Sequence, residues 1–120
     1  MQSRDNRTFI AGEDLSAAQF KFVTLEADGQ VDLADAAGEN AIGVCLAGAA
    51  AGAAVTVCVS GSVMVEAGGV IAAGAQVQTG ADGTALTAAA GDVVLGYARE
   101  AGVDGQIIEI EMIQGGNVVP

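Results

Sequence analysis

The chain has 120 residues, the size of one domain. Fifteen acidic residues against four basic ones give a net charge of −11, which repels phosphate backbones and anionic lipid headgroups. We therefore expect neither a nucleic acid nor a membrane as partner. The absence of histidine also excludes serine–histidine triads and imidazole–metal sites.

The first twelve residues differ from the rest of the chain. They carry Arg4 and Arg7, half of its positive charge, followed by Phe9 and Ile10. One interpretation is a frayed terminus. The other is an arm that becomes ordered on a partner, with its arginines on carboxylates and its apolar pair in a groove or along a neighbour's sheet. No apolar stretch typical of a secretory signal is present, which indicates synthesis in a reducing cytoplasm.

Short alternating runs, separated by glycine-containing turns, predict β-strands through the remainder. Gly61 is expected to separate two of the runs, and the alanine-rich pieces 34–37 and 85–90 to form single helical turns at most. The predicted strands cover 20–26, 30–33, 41–47, 54–60, 62–65, 76–79, 92–98 and 108–112.

The uncharged stretch 40–65 is long enough to cross a bilayer as a helix. Its strong apolar residues alternate instead of forming a continuous run, and glycines interrupt it. Val55, Val57 and Val59 thus share one face of a predicted strand. This pattern favours half-buried strands over a membrane span.

The two halves of the sequence resemble each other. The turn Ala27-Asp28-Gly29 recurs as Ala81-Asp82-Gly83, 54 residues later, and segments 36–38 and 42–44 recur as 89–91 and 95–97. Two copies are too few for a solenoid. We expect an all-β fold, a compact β-barrel or sandwich built from two pseudo-repeats of short antiparallel strands, with an extended N-terminal arm. The predicted parts are the arm 1–14, one domain 15–113 with pseudo-repeats at about 17–66 and 71–113, and a tail 114–120.

Few residues suggest chemistry. Glu109 and Glu111 lie two apart on one strand, roughly 6.6 Å by its rise, but a solvated strand face explains them as well. The acidic stretch from Asp28 to Glu39 resembles a calcium loop, except that Leu33 occupies the place of its turn glycine. The only lysine, Lys21, lies within a predicted strand and not at a hairpin tip, which argues against a lipoyl or biotinyl carrier.

Cys45 and Cys58 lack the spacing of a metal or redox motif. We expect two free, buried thiols, and a cross-strand disulfide remains open. The sequence thus predicts no catalytic residue, no cofactor and no metal site.

Two parts of the chain resemble the small head-decoration, or capsid-cement, proteins of tailed phages. The first runs from Ala41-Ile42-Gly43-Val44-Cys45 to Ser60-Gly61-Ser62-Val63. The second runs from Gly80-Ala81-Asp82-Gly83-Thr84 through Val94-Leu95-Gly96-Tyr97-Ala98. The likeness spans 15–113, and its motifs are short and glycine-based.

The resemblance implies a β-rich structural protein, often a homotrimer, on the outer surface of the mature capsid, where it clamps major capsid subunits together. It implies no enzymatic activity. On this hypothesis Arg4, Arg7, Phe9 and Ile10 contact the capsid or a neighbouring subunit. The alternative is another β-structured virion or binding module, such as a tail or spike component or a ligand-binding domain.

Overall fold

The computed structural model describes residues 4–113, and these form an all-β fold without a helix. The tail predicted at 114–120 lies outside the described residues. The nine strands are β1 (Arg4–Ile10), β2 (Phe22–Leu25), β3 (Val31–Leu33), β4 (Gly43–Cys45), β5 (Ala54–Glu66), β6 (Gln76–Thr79), β7 (Ala85–Thr87), β8 (Gly96–Ala98) and β9 (Ile107–Met112).

All nine strands belong to one antiparallel sheet that curls into half-barrels. Its order is β3-β2-β4-β5-β9-β8-β6-β7, with β1 paired to β5 beside this path. The order is symmetric about the β5–β9 pair when β2, β3, β4 and β5 are taken as equivalent to β6, β7, β8 and β9, respectively. The two predicted repeats are therefore two halves of one sheet that meet at the β5–β9 pair.

The strand registers repeat as closely as the order. Ile10 pairs with Ala54 at the end of β1, and Glu66 pairs with Ile107 at the end of β5. Each half also curls toward closure through one parallel bridge, Ala11–Val31 in the first half and Ala67–Ala85 in the second. The second half of β5 is thus the counterpart of β1, and β5 serves both repeats.

Two glycines make the curl possible. A Cβ on Gly43 would lie 2.1 Å from the backbone oxygen of Cys58 in β5. A Cβ on Gly96 would lie 2.2 Å from the backbone oxygen of Glu111 in β9. The repeated positions 42–44 and 95–97 are therefore the places where one backbone passes directly over another, and only glycine fits there.

The Asp-Gly turns repeat as well. Asp28 accepts a hydrogen bond from the backbone N–H of Gln30 at 3.0 Å, and Asp82 accepts one from Thr84 at 3.2 Å. The glycine that follows each aspartate has a positive φ, 84° at Gly29 and 82° at Gly83. These left-handed residues reverse the chain at equivalent hairpins.

Gly61 does not separate two strands as the sequence suggests. It lies inside the continuous 13-residue β5, with a φ of 94° beside a β-bulge that leaves Val59 without a partner in β1. Before the bulge Val57 and Val59 face one core, and after it Val63 and Val65 face the other. The bulge thus turns β5 over and lets one strand complete both half-barrels.

The interior consists of two apolar clusters. The first-repeat core is small, while the large core fills the second half-barrel and the space between the halves. The first-repeat core contains Ala11, Leu15, Ala18, Val23, Val31, Cys45, Val55, Val57 and Val59. The large core contains Phe22, Ala34, Ala41, Val44, Cys58, Val63, Val65, Ala67, Ile71, Val77, Ala85, Leu95, Ala98, Ile108, Ile110 and Met112.

Two segments differ from the expected local structure. The N-terminal segment is not an extended arm over Arg4–Ile10 but strand β1, since its backbone pairs with β5 along its whole length. Residues Ala85–Thr87 form β7 instead of a helical turn, because their alanine-rich sequence completes the hairpin with β6.

Candidate functional site

Strand β1 holds all four residues predicted as partner contacts, and its alternation divides them between two faces. Arg7 and Phe9 share one face, on which Phe9 packs against the first-repeat core. Ile10 lies on the other face and is 41% exposed. Arg4 begins the strand at the position paired with Gly61. The structure therefore brings Arg7 and Phe9 together and separates Ile10 from them.

A shallow groove of about 380 Å³ lies on the face of Arg7 and Phe9. Ile42 and Val59 line its apolar part, while Asp5, Arg7 and Ser60 line its polar part. Arg7 forms an exposed ion pair with Asp5 at 3.3 Å. An exposed pair of this kind contributes little to stability, so both charges are free to meet a partner.

A second, acidic pocket of about 230 Å³ lies beside the β2–β3 hairpin, next to Ala81 in the β6–β7 turn, and includes residues of the calcium-like stretch. Two of its five carboxylates accept hydrogen bonds from backbone groups. Glu39 accepts hydrogen bonds from the N–H groups of Asp35 and Ala36, and Glu13 accepts one from Leu33. Within residues 4–113 no group of three or more acidic or thiol side chains is placed to hold a metal ion.

Asp32 is the least satisfied member of this pocket. Its Oδ1 is buried and has no hydrogen-bond partner. Burial, together with the nearby charges of Glu13, Glu26, Asp28 and Asp35, raises the pKa of the Asp32 carboxyl. The pocket thus concentrates negative charge, and its carboxylates form no ion pair among residues 4–113.

Glu109 and Glu111, the carboxylate pair noted in the sequence, share a cation. Arg99 lies 3.8 Å from Glu109 and 3.4 Å from Glu111, and it donates a hydrogen bond to the Ser62 hydroxyl at 3.0 Å. Ser62 in turn donates to Glu111 at 3.1 Å. Arg99 follows β8 directly opposite Glu109, a long-range pairing that was not predicted from the sequence. This network of side chains fastens β8 to β5 and β9.

The two cysteines are free and buried, as expected. Val44 pairs with Cys58 and Cys45 with Val57, which places the thiols in different cores on opposite faces of the sheet. A disulfide between them is therefore incompatible with this fold. Burial raises the pKa of the Cys45 thiol, whose Sγ donates a hydrogen bond to the oxygen of Ala47.

Comparison with known proteins identifies the family of this chain. The family model of phage cement proteins matches residues 1–111. The chain belongs to the phage cement protein family. As a member of that family it is a structural virion protein of a bacteriophage and binds the capsid. No curated protein matches the chain.

A solved structure supports the fold. The crystal structure of the head fiber gp8.5 N base in bacteriophage phi29 superposes with a TM-score of 0.71 at 22% sequence identity. The match covers 92% of this chain and 95% of that chain. Among residues 4–113, no helix has the length and apolar character needed to cross a bilayer.

Proposed function

We propose that this cement protein binds the outer surface of the mature capsid and stabilises it by clamping major capsid subunits. The observation that carries the proposal is the family match over residues 1–111. A ligand that binds only the closed, mature lattice raises the free energy needed to open it by mass action. The strongly acidic surface suits a position away from packaged DNA.

The capsid-contact surface in this proposal is centred on β1, with Arg4, Arg7, Phe9 and Ile10 as contacts to the capsid or to a neighbouring copy. The exposed guanidinium of Arg7, in a chain of net charge −11, would pair with capsid carboxylates. The groove beside Phe9 and the exposed side chain of Ile10 offer apolar area on the two faces of the strand.

The protein acts, in this proposal, as a homotrimer made in the host bacterial cytoplasm, with residues 15–113 as its single β domain. Most homo-oligomers have closed symmetry. Because many copies bind one shell, the stabilisation from small interfaces adds up over the whole capsid. We propose no catalytic role. Hydrolase or transferase activity that disappears when Glu109 or Glu111 is replaced would contradict this part.

The test is co-sedimentation of the purified chain with mature heads that lack it, followed by the temperature at which the heads release DNA. We expect saturable binding and a higher release temperature. Ile10→Asp and Arg7→Glu should lower occupancy, whereas Val103→Asp, at a site 56% exposed in the other repeat, should not. Heads that bind no protein contradict the function. Equal occupancy for all three variants contradicts the contact assignment.

The alternative is another β-structured virion surface module, such as a tail or spike component. Capture of the chain from particle lysates separates the two. Recovery with capsids supports the cement function, and recovery with tails supports the alternative.

A further inference from the structure

Strand β1 has a free backbone edge. Among residues 4–113 its only strand partner is β5. The N–H of Leu46 in the β4 connection donates to the oxygen of Thr56, so the backbone of Thr56 faces β4 and that of Val55 and Val57 faces β1. By alternation, the N–H and C=O groups of Asn6 and Thr8 point away from β5.

The counterpart of this edge in the other repeat is covered. The backbone N–H of Glu66, which matches Ile10, donates to the oxygen of Phe20 at 2.8 Å. The loop that contains Phe20 therefore shields the outer edge of β5, and nothing equivalent shields β1 in the described chain. The part of the edge that remains uncovered before the Ala11–Val31 bridge is a template for another strand.

The charges of β1 are complementary to those of a second β1. If two copies pair antiparallel with Asn6 opposite Asn6, then Asp5 of each copy lies opposite Arg7 of the other. Arg4 lies opposite Thr8 in the same register. Since Asn6 points to the free edge, it forms the hydrogen-bonded pair, and Asp5 and Arg7 form the closer, non-hydrogen-bonded pairs.

Other two-fold registers lack this match. Centring the pair on Arg7 places two guanidinium groups opposite each other, and centring it on Asp5 does the same with two carboxylates. In a chain of net charge −11, most contacts between identical surfaces repel. β1 holds two of the four basic residues and one acidic residue. Two copies can therefore meet at β1 without the repulsion expected elsewhere on the surface.

We propose that the outer edge of β1 pairs with β1 of a second copy in the antiparallel register centred on Asn6, joined by two Asp5–Arg7 ion pairs. The contact is isologous and continues the sheet across two molecules. It also sets the two grooves beside Phe9 on the same face of the joined sheet. Because it is two-fold, it links copies that belong to different trimers, and it does not depend on capsid binding.

Charge reversal tests the contact in the full-length protein without capsids. Asp5→Arg or Arg7→Asp alone places like charges opposite each other and should weaken two-fold association about tenfold or more in sedimentation velocity. The double variant D5R/R7D restores complementarity and should recover it. Asp104→Arg, in an exposed turn of the other repeat, is the control and should associate like the original chain.

Cysteine pairing tests the register. When D5C protein is mixed with R7C protein, the new thiols lie about 4.5 Å apart by their Cα atoms, and the other Asp5–Arg7 pair remains. In either variant alone the thiols lie about 8 Å apart, too far for a disulfide. A mixed disulfide dimer that forms faster than either homodimer supports the proposal.

Several results would overturn it. They are a chain that shows no two-fold association, a double reversal that associates no better than the single ones, or equal cross-linking in the mixed and separate samples. Pairing of β1 with a capsid strand instead would also overturn it, and would appear as cross-linking of D5C to the capsid protein alone. Circular dichroism of each variant confirms that the sheet is intact.

Discussion

The two repeats have the same backbone and different surfaces. Leu15 and Ile71 donate equivalent backbone hydrogen bonds, to Ala49 and Gly102. The residue just before each differs in character, Asp14 in the first repeat and Val70, 79% exposed, in the second. Glycines at close approaches and turns maintain the shared hydrogen bonds, so side chains that point outward are free to diverge.

The same contrast appears on β1. Arg7 occupies the register position of Val63, because Arg7 pairs with Val57 as Val63 pairs with Ile110. Val63 is buried in the large core, and Arg7 is exposed. The N-terminal part of β1 therefore extends beyond its own core, which leaves its edge and its groove available to a partner.

The largest expected loss of stability comes from replacing the two glycines at which the backbones of neighbouring strands approach closely. Gly43→Val and Gly96→Val should each cost about 3 kcal/mol or more, because the added Cβ meets backbone and cannot be accommodated by a side chain. Urea unfolding gives the difference. Gly29→Ala, whose Cβ would have no neighbour within 4 Å, should lose only about 1 kcal/mol from its positive φ. Equal losses would contradict the shared close approach.

Exchanging the residue types at the equivalent positions Arg7 in β1 and Val63 in β5 tests the contrast between the two strands. Val63→Arg should destabilise the protein by about 3 kcal/mol or more, since it buries an unpaired charge in the large core. Arg7→Val should change stability by no more than about 0.5 kcal/mol, because the site is exposed. Thermal unfolding measures both. A tolerated arginine at Val63 would mean that the two halves do not enclose a shared interior.

A smaller effect is expected at Asp32, which occupies the position of Leu86 in the other repeat. Because its pKa is raised above the ordinary value of 3.8, the folded state holds the proton more tightly than the unfolded state does. The associated stability is present below that value and is lost as the pH rises through the raised pKa.

Replacing Asp32 by asparagine should therefore raise the melting temperature at pH 7 and have little effect at pH 3. Asp104→Asn, in an exposed turn of the other repeat, is the control and should leave the melting temperature unchanged. A variant that is less stable than the original chain at pH 7 would show that the charge of Asp32 has a partner in solution.

Much of this architecture was readable from the sequence, because its determinants are local. The repeated Asp-Gly turns and the glycines of 42–44 and 95–97 predicted two equivalent halves, and alternation located β6 and β9. The sequence did not predict strands β1 and β7. The polar segment from Arg4 to Arg7 has no apolar alternation, and Ala85–Thr87 has helical propensity, so both are strands only because a neighbouring strand pairs with them.

The site was less predictable than the fold. The composition of the N-terminus indicated Arg7 and Phe9, but their placement beside Ile42 and Val59 depends on long-range pairing. The bulge at Gly61 likewise joins two predicted strands into one. Its role is visible only in the structure, where β5 faces one core before the bulge and the other core after it.

Electron cryo-microscopy of native particles tests the central claim most directly. The account predicts density for the two-repeat sheet on the outer surface of the mature shell, touching more than one capsid subunit through side chains on the faces of β1. Particles whose shell lacks this density, with the chain located inside the head or only on the tail, would contradict it.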